Sequence, residues 1–120
     1  MKNEENDLLP RTKMFARRII RLYCSLSKTD TVAQVLGKQV LRSGTSVGAN
    51  YREANRARSK TEFISKMGDC LKESDETLYW LELFLEEKIV PAAKLQPLAL
   101  EASELVAIFI TILKKARGQT

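Results

Sequence analysis

Residues 59–85 read SKTEFISKMGDCLKESDETLYWLELFL and have the clearest helical pattern of the chain. Ser59 followed by Glu62 forms a capping box, in which the serine oxygen accepts a backbone N–H and the glutamate reaches back to the cap. Apolar side chains then recur at helical spacing until about Glu87. A helix of this length extends roughly 40 Å at 1.5 Å per residue, so it needs partner helices along its whole length.

Two more helices are predicted before this segment. The first is expected to begin at Pro10, because the fixed φ of proline suits a first turn, and residues 1–9 are expected to be a flexible N-terminal tail. The second is expected over about residues 31–57, although Gly44 lowers its helical propensity. The small residues around Gly44 either let a neighbouring helix approach closely or break the helix there.

The fourth helix is predicted over about residues 98–117, after a connection that contains two prolines. Its apolar face is wide, which favours burial of a second side against another subunit. Four helices with short connections predict one all-α domain over residues 1–120, an antiparallel up-down-up-down four-helix bundle. The side chains expected to be largely buried are Phe15, Leu22, Leu36, Val47, Phe63, Leu71, Leu78, Trp80 and Leu105.

The composition argues against several functions. The chain has no histidine, which removes the usual general base, the usual zinc ligand and the usual partner of a nucleophilic Ser or Cys. We therefore expect no catalytic residues, no cofactor and no metal. Short apolar runs and the absence of a signal peptide predict a cytoplasmic protein without a membrane span. Cys24 and Cys70 are far apart in sequence and are expected to be reduced core residues.

The net charge of +5 is divided unevenly along the chain. Residues 1–60 carry 13 Lys and Arg against 5 Asp and Glu, whereas residues 61–120 carry 7 against 10. A basic half favours binding of a polyanion such as RNA or DNA through its phosphates. The same division also arises if the two halves neutralise each other across the bundle. The predicted nucleic-acid contacts are Arg11, Lys13, Arg17, Arg18, Arg21, Arg56, Arg58 and Lys60.

A second set of polar residues is predicted to lie at the contacts between helices. Because an unpaired buried charge costs several kcal/mol, Arg42 is expected to pair with Glu73 or Glu76 of the third helix. A carboxylate metal site formed by Glu53 with these two residues is an alternative, but helical bundles build such sites from Glu-x-x-His motifs. The predicted polar network comprises Arg42, Ser43, Asn50, Glu53, Glu73 and Glu76.

The central part of the chain resembles a known family. It contains LRSGTSVGANYREA at residues 41–54, SKTEF at residues 59–63 and KESDETLYWL at residues 72–81. In this order the motifs are similar to those of the four-helix bundle family named for proteins encoded in intervening sequences of bacterial 23S rRNA genes. The same superfamily includes the accessory variability determinant of diversity-generating retroelements, a basic partner of a reverse transcriptase.

This resemblance implies a bundle that assembles as a homopentamer and has no known catalytic residues. It also implies nucleic-acid binding through a basic surface, which is associated with the retroelement relative. We therefore expect a non-enzymatic oligomeric scaffold that binds RNA or DNA, with little sequence preference because no base-reading motif is present. The alternative is a protein–protein adaptor, for example an accessory subunit of a reverse transcriptase, which would use the wide apolar face of the fourth helix.

Overall fold

The fold consists of four α-helices. A computed structural model describes residues 4–118, with side chains from residue 7 onwards. No β-strand is present between residues 4 and 118, so the predicted all-α class is confirmed. The helices are α1 (Glu4–Ser25), α2 (Thr31–Asn55), α3 (Lys60–Glu86) and α4 (Ala92–Ala116).

Helices that follow each other in the chain are also neighbours in space. α2 packs on α1 and α3, and α4 packs on α3, whereas α1 and α4 approach each other at few positions. Buried side chains from all four helices form one hydrophobic cluster. The molecule measures 47 × 24 × 22 Å, so its long dimension is close to the length of its longest helix.

α2 continues through Gly44 without a break. A Cβ atom on Gly44 would lie 2.7 Å from Cγ1 and 2.9 Å from Cγ2 of Ile19 in α1, closer than van der Waals contact allows. Ile19 is itself fully buried, so it has no space into which it could move. The helical cost of this glycine is therefore offset by the close approach of α1, and the alternative of a broken helix is wrong.

The predicted start of the first helix at Pro10 is wrong. α1 already includes Glu4, so Pro10 lies inside the helix and residues 4–9 are helical instead of forming a flexible tail. Residues 1–3 of that predicted tail lie outside the described residues. Leu8 is only 1% exposed, and its burial holds the first turns in place although Pro10 donates no backbone hydrogen bond.

The predicted start of the fourth helix is wrong for the same physical reason. α4 begins at Ala92, so Pro97 lies in its second turn rather than in the preceding connection. Pro91 is the capping residue before the first turn, with φ −54° and ψ 135°. Leu95 and Leu98 flank Pro97 and are both buried, and this burial outweighs the single backbone N–H that Pro97 lacks.

The predicted core is correct in part, and four of the five residues that are only partly buried lie on α3, which is rotated relative to its predicted buried face. The buried face of α3 includes two hydroxyl residues, Ser74 and Thr77, which the spacing of apolar residues does not identify. The predicted residues that are buried are Phe15, Leu22, Val47 and Leu105. Those that are only partly buried are Leu36, Phe63, Leu71, Leu78 and Trp80. The buried line of α3 consists of Met67, Cys70, Ser74, Thr77, Leu81 and Phe84.

α4 is long and apolar enough to cross a membrane by length and composition alone, with a mean hydropathy of 1.5 in its most apolar window. The expectation that the chain has no membrane span rests on its short uninterrupted apolar runs, and it stays a prediction. The core helix of a water-soluble protein passes the same test, so one helix of this kind assigns no membrane span. Seven residues of α4 are buried against the other helices, which accounts for its apolar character.

Candidate nucleic-acid interface and polar network

Arg42 on α2 lies between two carboxylates of α3. Its Nη1 atom donates to Oε1 of Glu73 at 3.4 Å, and its Nη2 atom donates to Oε2 of Glu76. The same oxygen of Glu76 accepts a hydrogen bond from Nε1 of Trp80 at 3.3 Å. The side chain of Arg42 is 52% exposed, so this group lies at the surface of the bundle and not in its interior.

The exposure of Arg42 limits the expected strength of its ion pairs. Surface pairs contribute about 0.2–1 kcal/mol, whereas breaking a buried pair costs about 3–5 kcal/mol. In a double-mutant cycle measured by urea unfolding, Arg42→Met and Glu76→Gln should show a coupling energy of about 1 kcal/mol or less. Arg21→Met with Glu76→Gln is the control and should be additive, because Arg21 is exposed on α1. Additivity in the Arg42 cycle as well would show that Arg42 and Glu76 do not interact.

Ser43 is fully buried and pairs with Thr77 of α3, with 2.8 Å between the two hydroxyl oxygens. The hydroxyl of Thr77 also lies 2.7 Å from the carbonyl oxygen of Glu73, so the pair has a backbone acceptor for one of its protons. The predicted network did not include Thr77. The sequence feature that could have indicated its burial is its position seven residues after Cys70, since residues one heptad apart lie on the same face of a helix.

The remaining predicted network residues do not join this group. Nζ of Lys66 lies 2.7 Å from Oε1 of Glu53, and this hydrogen bond raises the pKa of Lys66. Asn50 is half-buried, and its side chain forms no hydrogen bond within the described residues. In residues 7–118 no three His, Cys, Asp or Glu side chains group as metal ligands. The alternative metal site is not assembled, because Glu53 pairs with Lys66 while the other two carboxylates pair with Arg42.

The two cysteines have different surroundings. Cys70 is buried, and burial raises the pKa of its thiol to about 12, so this thiol is protonated at neutral pH. Cys24 is exposed, which corrects the expectation that both cysteines are core residues. The reason is the direction of its helix face, since Cys24 follows the exposed Arg17 and Arg21 at steps of four and three along α1.

Arg11 is a structural residue of the contact between α1 and α4. Its Nε and Nη2 atoms donate to the two carboxylate oxygens of Glu101 at 2.8 and 2.7 Å, and Nη2 also donates to Oε1 of Glu104 at 2.8 Å. The hydrogen bond to Glu101 raises the pKa of Arg11 above its usual value. Its charge is neutralised within the bundle, which argues against the prediction of Arg11 as a nucleic-acid contact. The sequence alone does not indicate that Arg11 contacts Glu101, which lies 90 positions away.

The other predicted nucleic-acid contacts face solvent to different degrees. Arg18 is half-buried, and it forms no ion pair with the described residues. Six others are exposed and likewise have no ion pair within the described part of the chain. A phosphate can therefore reach these six without breaking an existing contact. They are Lys13, Arg17, Arg21, Arg56, Arg58 and Lys60.

A groove of about 540 Å³ lies between α1 and α2. Lys13 and Arg56 both line this α1–α2 groove, so it joins the basic residues of α1 to those of the α2–α3 connection. Arg52 is a third cation of its lining, and the charge pattern alone did not single it out. The two helices meet closely at the groove, since a Cβ atom on Gly48 would lie 3.3 Å from the carbonyl oxygen of Thr12.

Comparison with known proteins agrees with the motif resemblance. The chain matches the family described as 23S rRNA-intervening sequence protein over residues 4–111. A similar solved structure is a protein of unknown function from the S23 ribosomal protein family of Bacteroides thetaiotaomicron VPI-5482. The two chains share 38% identity with a TM-score of 0.85, over 93% of this chain and 99% of that one. No curated protein matches the sequence significantly. The resemblance is confirmed, and the chain belongs to the 23S rRNA-intervening sequence protein family.

Proposed function

We propose that this protein is a non-enzymatic scaffold that binds RNA or DNA through the phosphate backbone. The observation that carries the proposal is the set of six exposed basic residues without an ion pair among the described residues. Cations of this kind bind polyanions by releasing condensed counterions, and they need no base-reading motif. Lys13 and Arg56 support one continuous interface, because both line the α1–α2 groove.

The main competing explanation of the basic half is mutual neutralisation across the bundle. Among the eight predicted contacts, only Arg11 forms an ion pair within the described residues, and its partners do lie in the acidic half. Arg42 and Lys66 form the other cross-helix pairs, and neither belongs to the predicted interface. Neutralisation therefore accounts for one contact and leaves most of the basic surface available to a ligand.

We further infer that the four helices run up-down-up-down and that the bundle forms a closed ring, with five subunits expected from the family resemblance. For the first three helices, the antiparallel order is supported by contacts whose residue numbers rise along one helix while they fall along its neighbour. A ring repeats each basic patch around its axis, so weak phosphate contacts act together through multivalency. The contacts that support the helix order are Gly37–Leu26, Gly44–Ile19, Arg42–Glu76 and Glu53–Lys66.

Binding of single-stranded RNA at increasing salt tests the proposed function. Each neutralised phosphate contributes about −0.7 to the slope of log K against log salt, so Arg17→Gln with Arg21→Gln should flatten the slope by about 1.4. Lys114→Gln with Lys115→Gln is the matched control, because it removes the same charge from an exposed part of α4. The control should keep the slope of the wild type.

Light scattering on the same samples provides the second measurement. The wild type and the α1 double variant should have the same mass, which isolates the change in charge from any change in assembly. A monomer at micromolar concentration would contradict the ring. Absence of RNA binding by the wild type at low salt, or an unchanged slope in the α1 double variant, would contradict phosphate binding through this surface.

A protein–protein adaptor is the second candidate function, for example as an accessory subunit of a reverse transcriptase. The observation that favours it is the exposure of two large apolar side chains on α4, Leu100 at 61% and Ile110 at 37%. An apolar contact depends little on salt, in contrast to phosphate binding. A specific protein partner that binds equally at low and high salt, and no longer binds after Leu100→Gln, would favour this function.

A further inference from the structure

The α1–α2 groove brings several positive charges together. Its lining includes Lys13, Arg52 and Arg56 and contains no Asp or Glu. Arg52 lies in the last turn of α2 and Arg56 is the capping residue just after this helix, so two like charges that repel each other line the same groove. The C-terminal end of α2 attracts these two arginines, whereas Lys13 lies in the middle of α1, away from the ends of its own helix. The converging charges therefore favour an anion in the groove.

The hydroxyl groups in the groove restrict which anion fits. The Thr12 hydroxyl donates its proton to the carbonyl oxygen of Leu8 at 2.7 Å, and the Thr45 hydroxyl donates to that of Leu41 at 2.7 Å. Thr12 is buried, so its hydroxyl is closed to a ligand, whereas the half-buried Thr45 can offer a ligand only an acceptor. Inorganic phosphate presents mainly acceptors, so it gains nothing from Thr45. A nucleotide carries donors on its base and ribose as well as its phosphate.

Apart from the amide of Asn55, the remaining lining of the groove is apolar. This wall has no charge for a phosphate, but it suits the face of a nucleobase. A volume of about 540 Å³ falls within the usual range of small-ligand sites, roughly 300–1,000 Å³, which includes a single nucleotide. In a duplex the base faces are stacked and hidden, so only an unpaired base can present its face to such a wall. The apolar wall consists of Leu9, Pro10, Ala16 and Ala49.

We propose that the α1–α2 groove binds one unpaired nucleotide of a single-stranded nucleic acid. Its base lies against the apolar wall, and the two phosphates that flank it in the strand contact Arg52 and Arg56. Arg17 and Arg21 continue from Lys13 along the exposed side of α1 at steps of four residues, so the neighbouring phosphates of the same strand follow this helix. This inference rests on the proposed function, and it adds Arg52 and a preference for single strands to it.

Two kinds of variant test the groove separately from the rest of the basic surface. Arg52→Gln with Arg56→Gln removes two phosphate contacts, so the slope of log K against log salt should flatten by about 1.4 for single-stranded RNA. Ala49→Leu fills the groove without changing charge, and it should weaken that RNA by about tenfold while leaving a duplex of equal length unaffected. Ala93→Leu is the matched control, since Ala93 is exposed on α4 and should bind like the wild type.

Fluorescence anisotropy of a labelled 12-nucleotide RNA gives all of these affinities, and circular dichroism verifies that each variant is folded. Nucleoside monophosphate should displace the strand at high concentration, whereas inorganic phosphate at equal ionic strength should not. Wild-type affinity in both Arg52→Gln/Arg56→Gln and Ala49→Leu would overturn the groove site while leaving the proposed function in place. Equal displacement by inorganic phosphate, or tighter binding of polyglutamate than of RNA, would also overturn it. Failure of the wild type to bind any nucleic acid would remove the proposed function itself.

Discussion

Replacing Phe109 by alanine is expected to lower the free energy of unfolding by about 3–5 kcal/mol. Phe109 lies on α4 with 0% of its side chain exposed, and its ring centroid is 6.3 Å from that of Tyr51 on α2. The substitution removes a large apolar side chain from a closed core and also removes this aromatic contact. In urea unfolding the midpoint should fall while the m value stays constant, because the surface exposed on unfolding changes little.

Phe63→Ala provides the comparison for this prediction. The sequence pattern alone predicts the full core cost for Phe63, but its side chain is only partly buried at the edge of the cluster. Part of its surface is already in contact with water, so the loss should be clearly smaller than for Phe109→Ala. A loss for Phe63→Ala as large as that for Phe109→Ala would contradict the buried line of α3 and favour the buried face predicted from sequence, which includes Phe63, Leu71 and Leu78.

The errors in the predicted helix ends have a common cause. Local rules place a proline at the start of a helix, but Pro10 and Pro97 both lie inside helices. The missing backbone donor has a local cost, whereas the burial of Leu8 and Leu95 depends on helices that are distant in sequence. The presence of each helix was predictable because the spacing of apolar residues is a local property of the sequence. The helix ends were not, because tertiary contacts decide them.

The candidate site was predictable only as separate basic segments. The spacing of Lys13, Arg17 and Arg21 indicates one face of a helix from the sequence alone. The α1–α2 groove also requires Arg52 and Arg56, whose distance from Lys13 depends on how α1 and α2 pack. Likewise, the sequence alone does not distinguish the ion-paired Arg11 from the other basic residues of α1, since the two glutamates that neutralise it lie on α4.

Gly44→Leu is expected to destabilise the protein by about 3 kcal/mol or more, at the upper end of the cost of overpacking a core. Even a Cβ atom at this position would meet Ile19 at 2.7 Å, and Ile19 is β-branched and fully buried, so α1 must move away from α2. Gly68→Leu is the matched control, since a Cβ atom on Gly68 would meet nothing within 4 Å. At Gly68 the higher helix propensity of leucine should leave stability unchanged or raise it by up to about 1 kcal/mol. Both variants make the same chemical change in the interior of a helix, so the difference between their urea midpoints reports the closeness of α1 and α2. Equal stabilities would show that α1 does not pack against Gly44, and the α1–α2 groove would then lose its geometric basis.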